Sequence, residues 1–246
     1  MTTTIYVDSR MAVSGTSSSF KILLRETVHI LAGARLRIDK LRFIDSFFTT
    51  DQGRHIYYKD GAGSIVSFAL AEQAYSGTRL AAQIQTLTGR STTYSDATNS
   101  ITQIVFAGQE WLSDDELKSY VSGFPTGASG ASPSSINAVL GPGGVDSAGN
   151  LVWSFVKMSP YDDLYLRSSK LACKNIHGPL GCHDVLCKVT LDQGISKVQS
   201  ENSPTQVYYD ISETSFKTMD FRLTTFDNRV VNLRGRSLSF QLTIDQ

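Results

Sequence analysis

Five residues within fifteen positions carry most of the chain's potential for chemistry: Cys173, His177, Cys182, His183 and Cys187. Thiolate sulfur and imidazole nitrogen are the usual ligands of a tetrahedral zinc ion, and four of these five would suffice. The spacing is C-x3-H-x4-C-H-x3-C, without the C-x2-C knuckle that holds two sulfurs on one turn. The competing reading makes Cys173 and Cys187 small apolar groups of neighbouring strands. The Gly/Pro-rich run from His177 to His183 then connects them. The spacing favours the second reading, and no metal is assigned. Three cysteines cannot all pair, so a disulfide framework is not indicated.

The patterns of nucleotide and acyl-transfer enzymes fail. Gly141-Pro-Gly143-Gly-Val-Asp146 begins like a dinucleotide loop, but Asp146 stands where the third glycine belongs and no helix follows. G-x-x-x-x-G-K-[ST], G-x-S-x-G and H-E-x-x-H are all absent from the 246 residues. Serines are abundant, but a nucleophile needs a positioned base, and only four histidines exist. His29 and His55 sit in strand-like surroundings. No catalytic residue, no cofactor and no enzyme activity is assigned. Arg35, Arg37 and Arg42 form the densest basic patch, read as a solvated sheet face or subunit contact rather than a nucleic-acid site. The 23 basic and 23 acidic residues cancel, which disfavours a generally basic nucleic-acid binder.

No run approaches the roughly 18 apolar residues needed to cross a bilayer. The start, Met-Thr-Thr-Thr-Ile-Tyr-Val-Asp, lacks the basic and apolar regions of a signal peptide. A hydrophobic content of 41% is enough for a packed core.

The elements that would position these residues are mostly strands. Leu238, Phe240, Leu242 and Ile244 alternate with Ser239, Gln241 and Thr243, the period of a strand with one buried face. Phe216 to Ile244 reads as two strands joined by a tight turn. In Ala34 to Phe43 the apolar parity shifts, which predicts a bulge or bend near Asp39-Lys40. Further strands are expected at Phe20–Leu24, His55–Tyr58, Ser64–Leu70, Ile101–Phe106, Leu151–Val156, Leu164–Cys173, Val185–Leu191 and Val207–Ile211. Helices are few. Arg79–Leu87 has Leu80, Ile84 and Leu87 at helical spacing, Ser76 or Thr78 as N-cap and Gly89 as a stop. Ser113-Asp-Asp-Glu116 is a capping box. Residues 122–150 are Gly-, Ser- and Pro-rich with almost no charge, which predicts a long exposed loop. The expectation is one all-β domain over 1–246, with that loop as its insertion.

Several pieces, taken in order, resemble the single jelly-roll penton proteins of virophages, polinton-type elements and related double-stranded DNA viruses. They are Ile5-Tyr-Val-Asp-Ser-Arg10, Gly15 to Leu24, Tyr75 to Leu80 with its short helix, Thr98 to Phe106, Met219 to Leu223, the turn at Phe226-Asp-Asn228, and the last strand. The resemblance implies a sandwich of eight main strands in two antiparallel sheets, and a homopentamer at the five-fold vertices of an icosahedral capsid. It further implies a major capsid protein as neighbour, the virion as location, and assembly inside the host cell. The alternative is a jelly-roll module that binds a receptor or glycan, with 122–150 as its binding loop. A cupin-type enzyme would need an H-x-H pair, which the chain lacks.

Overall fold

In the computed structural model, the described residues are 2–105, 109–119, 135–141, 143–171, 178–191, 198–201, 209–211 and 214–246. The chain divides into two compact units, one of Met1–Ser46 with Tyr161–Gln246, the other of Phe47–Pro160.

The first unit holds eight main strands: β1 (Thr2–Asp8), β2 (Ser19–Ile30), β3 (Arg35–Ile44), β4 (Asp163–Arg167), β5 (Val185–Thr190), β6 (Val198–Glu201), β7 (Thr214–Thr224) and β8 (Leu238–Asp245). One sheet runs β1-β8-β3-β6 and the other β5-β4-β7-β2. Every pairing is antiparallel. The first strand pairs with the last, the second with the seventh, the third with the sixth and the fourth with the fifth. That is a long four-pair hairpin rolled up on itself, and the contacts β8·β3 and β7·β4 are where the roll closes. The architecture is a jelly roll.

Hydrophobic alternation explains which faces turn inward. Leu238, Phe240, Leu242 and Ile244 are all buried, as are Ile5 and Val7 on the paired strand. From the other sheet, Phe20, Ile22, Leu164, Leu166, Met219, Phe221 and Leu223 point in. Removing such side chains from water contributes roughly 1.5–3 kcal/mol each. The predicted bulge is present. Register slips between Ser239 and Gln241 opposite Arg42 and Asp39, and Lys40 has φ +52°. The slip lets Leu36 on one side and Leu41 and Phe43 on the other share the core face.

Two expectations change. Phe216 to Ile244 is not a hairpin. The turn at Thr225–Arg229 exists, with the Asn228 amide donating to Thr225 O at 3.1 Å, but β7 and β8 belong to opposite sheets. Alternation fixes which face of a strand is buried and says nothing about its partner. The insertion is also larger than 122–150. Residues 47–160, lying between β3 and β4, form sheets of their own. One joins Ile65–Ala69, His55–Lys59 and Glu110–Trp111; the other joins Gly143–Val145, Leu151–Trp153, Ser100–Gln103 and Thr92–Ser95. They carry a separate core around Ile56, Leu80, Ile84, Ile101, Leu140 and Trp153.

Within the expected loop, Ser135, Ile136, Val139 and Leu140 are buried, Asn137–Leu140 is a helical turn, and Gly143–Val145 is a strand. Composition alone could not show that Ile136, Val139 and Leu140 find a core to enter. Residues 122–134 lie outside the described residues.

Both predicted helices form. The first covers Gly77–Thr88, with the Ser76 hydroxyl accepting from the Arg79 amide at 3.3 Å and Gly89 at φ +68° closing it. A Cβ at Gly77 would lie 2.3 Å from the Tyr94 ring, so a larger residue there would have to displace that ring. The second, Asp114–Ser119, opens on a reciprocal capping box. The Ser113 amide donates to Glu116 Oε2 at 2.8 Å, and the Glu116 amide donates to Ser113 Oγ at 3.3 Å. Among the described residues, no helix is long and apolar enough to cross a membrane.

Candidate interaction site

A cleft of about 890 Å³ opens in the jelly-roll unit between the connection after β1 and the connection after β7. The first wall begins where β1 ends. Asp8 accepts from the Arg10 amide at 2.9 Å, from Arg10 Nε at 3.0 Å and from Arg10 Nη2 at 2.6 Å. These contacts hold the Asp8 carboxyl below the usual carboxylate range and cap the single helical turn Ser9–Met11. The chain then enters the short strand Ser14–Thr16, which turns back into β2. Gly15 has φ +104°, and a Cβ there would fall 2.2 Å from Ser19 O, so the turn accepts only glycine.

The second wall is the path from Val230 to Ser237. The Val231 amide returns to Leu223 O at 3.1 Å, and Asn232 Oδ1 accepts from the Arg234 amide at 2.8 Å. The Leu238 amide donates to Ser9 Oγ at 3.0 Å and ties the walls together.

The cleft presents hydroxyls from Ser9, Ser14, Thr16, Ser17, Ser18 and Ser237, and apolar rims at Val13 and Val230. Among the described residues, no carboxylate or imidazole lines it; the described lining offers hydrogen bonds and contact area. Sequence reasoning missed this place. Nothing in the Ser/Gly run from Ser14 to Ser19 announces the opposing wall.

A charged cluster lies on the other sheet. Arg167 on β4 is fully buried. Its Nε donates to Thr224 Oγ1 at 2.9 Å and its Nη1 to Asp184 Oδ1 at 2.8 Å. Asp184 Oδ2 accepts from Arg222 Nη2 at 2.9 Å, so one carboxylate bridges two guanidiniums. The pairing of β4 with β5 shifts between Leu166 and Arg167, and this bulge turns an arginine inward beside Leu166. The cluster fixes the entry into β5, and Arg167 Nη2 is buried with no described hydrogen-bond partner.

The five Cys and His residues weighed as zinc ligands, to which no metal is assigned, are only partly placed. Cys187 lies on β5 opposite Leu166, and Cys182 and Cys187 are both half-buried. Cys173 and His177 lie outside the described residues. Among the described residues, no three His, Cys, Asp or Glu side chains form a metal-holding group, so Cys182, His183 and Cys187 do not make one by themselves.

The basic patch is largely neutralised: Arg37 pairs with Asp39 at 2.9 Å and Arg35 approaches Asp210 at 3.8 Å, leaving Arg42 exposed. His29 Nδ1 and Ser215 Oγ are 2.8 Å apart on adjacent strands. The pair is exposed, and no described carboxylate is hydrogen-bonded to the imidazole.

No protein-family model and no curated protein matches the sequence. Among solved structures, the chain is similar to the crystal structure of a mavirus penton protein, at 10% identity and a TM-score of 0.49, over 100% of this chain and 99% of that one.

Proposed function

We propose that this protein is a structural subunit of a virus shell, assembling as a homopentamer at the five-fold vertices of an icosahedral capsid beside a major capsid protein. The observation that carries the reading is the strand order β1-β8-β3-β6 over β5-β4-β7-β2, which is the single jelly roll that the resemblance of Ile5–Arg10, Gly15–Leu24 and the last strand to penton proteins calls for. One such roll is the size of a vertex subunit; a double roll needs about twice the chain. The site chemistry agrees with an association role. Among the described residues the cleft has no acid–base pair, and in the charged cluster Asp184 bonds both Arg167 and Arg222.

Light scattering of the purified protein tests the reading, with electron microscopy of the same sample. The expected mass is about five times 26.9 kDa, in ring-shaped particles. A strict monomer that joins no capsid protein overturns it. A second reading, a receptor- or glycan-binding module, draws on the hydroxyl-lined cleft between Ser9–Ser18 and Val230–Ser237. On that reading, filling the cleft abolishes ligand binding and leaves assembly intact.

A further inference from the structure

We propose that the cleft between Ser9–Ser18 and Val230–Ser237 binds an acidic saccharide, holding it by a carboxylate or sulfate group on the sugar. The inference rests on the glycan-binding reading of that cleft and names the kind of glycan; the vertex reading does not depend on it. What selects the ligand is the set of hydrogen-bonding roles that the lining residues have already filled.

Three polar side chains, drawn from both walls, have an oxygen occupied by a backbone amide. Ser9 Oγ accepts from the Leu238 amide at 3.0 Å, Thr16 Oγ1 from the Ser19 amide at 3.2 Å, and Asn232 Oδ1 from the Arg234 amide at 2.8 Å. Each bond uses acceptor capacity and none uses a donor hydrogen. The Ser9 and Thr16 hydroxyls keep their O–H, and the Asn232 amide keeps its NH₂ group. Arg10 lines the cleft as well. It gives Nε and Nη2 to Asp8 at 3.0 and 2.6 Å, while its Nη1 carries further N–H groups. These four side chains therefore meet a ligand mainly as donors. An oxyanion is the acceptor-rich partner that such a set fits, and hydrogen bonds to a charged oxygen are the strong ones.

The rest of the lining suits the body of a sugar. Ser14, Ser17 and Ser237 add hydroxyls that both donate and accept, as sugar hydroxyls do. Val13 and Val230, 61% and 46% exposed, are aliphatic rims on which the C–H face of a pyranose can lie. The volume of about 890 Å³ is near the top of the range for small-ligand sites, about 300–1,000 Å³. The walls are also set in advance. The Val13 amide donates to Lys21 O at 2.8 Å and the Val231 amide to Leu223 O at 3.1 Å, and the Ser9–Leu238 bond joins the two sides. Binding then has little of the protein left to order.

Calorimetric titration of the full chain tests this with matched pairs of sugars. Sialyllactose against lactose isolates a carboxylate, and glucose 6-sulfate against glucose isolates a sulfate. Acetate and sulfate supply the ions without a sugar. In at least one pair the charged sugar is expected to bind about tenfold tighter or more than its neutral partner and than the bare ion. Asn232→Asp keeps the oxygen that accepts from Arg234 and replaces the donating NH₂ with a charged oxygen. Asn232 is exposed, so the variant should fold, and its charged sugar should bind no tighter than the neutral one.

Equal binding within both pairs overturns the proposal and leaves the glycan reading standing. A bare ion that binds as tightly as the charged sugar overturns it too, because the cleft then holds only an ion. If none of the four sugars binds, the proposal and the glycan reading fall together. A folded Asn232→Asp chain that keeps the native preference shows that the donors on the second wall play no part, and the proposal falls.

Discussion

Phe221 and Phe240 meet edge to face, ring centroids 4.9 Å apart and planes at 79°, although their strands belong to opposite sheets. Both are buried, and Phe221 also lies 5.8 Å from Phe20 on its own sheet. The pair is therefore a seam of the roll, where two inner faces are pressed together rather than two neighbours in one sheet. Phe240→Ala is expected to cost about 3–5 kcal/mol, the range for emptying a buried phenylalanine site. A double-mutant cycle with Phe221→Leu, followed by urea denaturation, should show a coupling of about 0.5–1.5 kcal/mol. Additive effects would mean the two rings do not share a packing site.

Arg167 and Asp184 make a second, asymmetric case. Asp184→Ala strips the fully buried Arg167 of its carboxylate, and an uncompensated buried charge costs about 3–5 kcal/mol. Arg167→Met removes that buried charge and leaves Asp184 paired with Arg222 at 2.9 Å, so its cost should be under half as large. Thermal and urea unfolding of the two variants check the order. Equal losses would show that Asp184 acts through Arg222 alone.

Lys40 tests the bulge. Its φ of +52° lies in the left-handed region, where a side chain costs about 1–2 kcal/mol. Lys40→Gly should leave stability unchanged or raise it by less than about 1 kcal/mol, because relief of strain is offset by glycine's looser unfolded chain. Lys40→Val should lower it by about 1 kcal/mol, since β-branching worsens the same conformation. A stabilised valine variant would mean that the strand can run straight past Asp39.

The bulge was legible before any coordinates because Leu36 and Phe43 differ in parity, and only a slipped residue reconciles them. The helix at Gly77–Thr88 and the capping box at Ser113 were legible for the same reason: both signals are local. The partner of a strand is not local. Met219–Leu223 and Leu238–Ile244 carry equally clear alternation, yet one faces β2 and β4 while the other faces β1 and β3. The same blindness hid the second core. His55–Lys59 and Leu151–Trp153 read as strands of the one expected domain and belong to other sheets. Nor could Arg167 be foreseen, since its burial depends on a bulge that no parity shift in β4 announces. The cleft escaped notice because its walls come from segments more than two hundred residues apart, joined by Ser9 and Leu238.

The capping box supplies a pH-dependent test in the second unit. Hydrogen bonds from the Ser113 hydroxyl and amide hold the Glu116 carboxyl below its ordinary value. A depressed folded-state pKa means that the helix start gains stability above the unfolded value, about 4.3, and loses it as pH falls through the folded value. The group is mostly solvated, so the effect is local rather than global. Its reporter is the Leu117 amide, which donates to Ser113 O at 2.9 Å while the Leu117 side chain is buried against Tyr57 and Leu112. Corrected for intrinsic exchange rates, protection at Leu117 should fall between about pH 6 and about pH 3. Glu116→Gln keeps the acceptor without the titrating charge, so its protection should be lower at neutral pH and flat over the same range. Ser113→Ala should lose both the level and the pH dependence. A native chain whose Leu117 protection does not change with pH would show that packing against Tyr57 alone holds the turn.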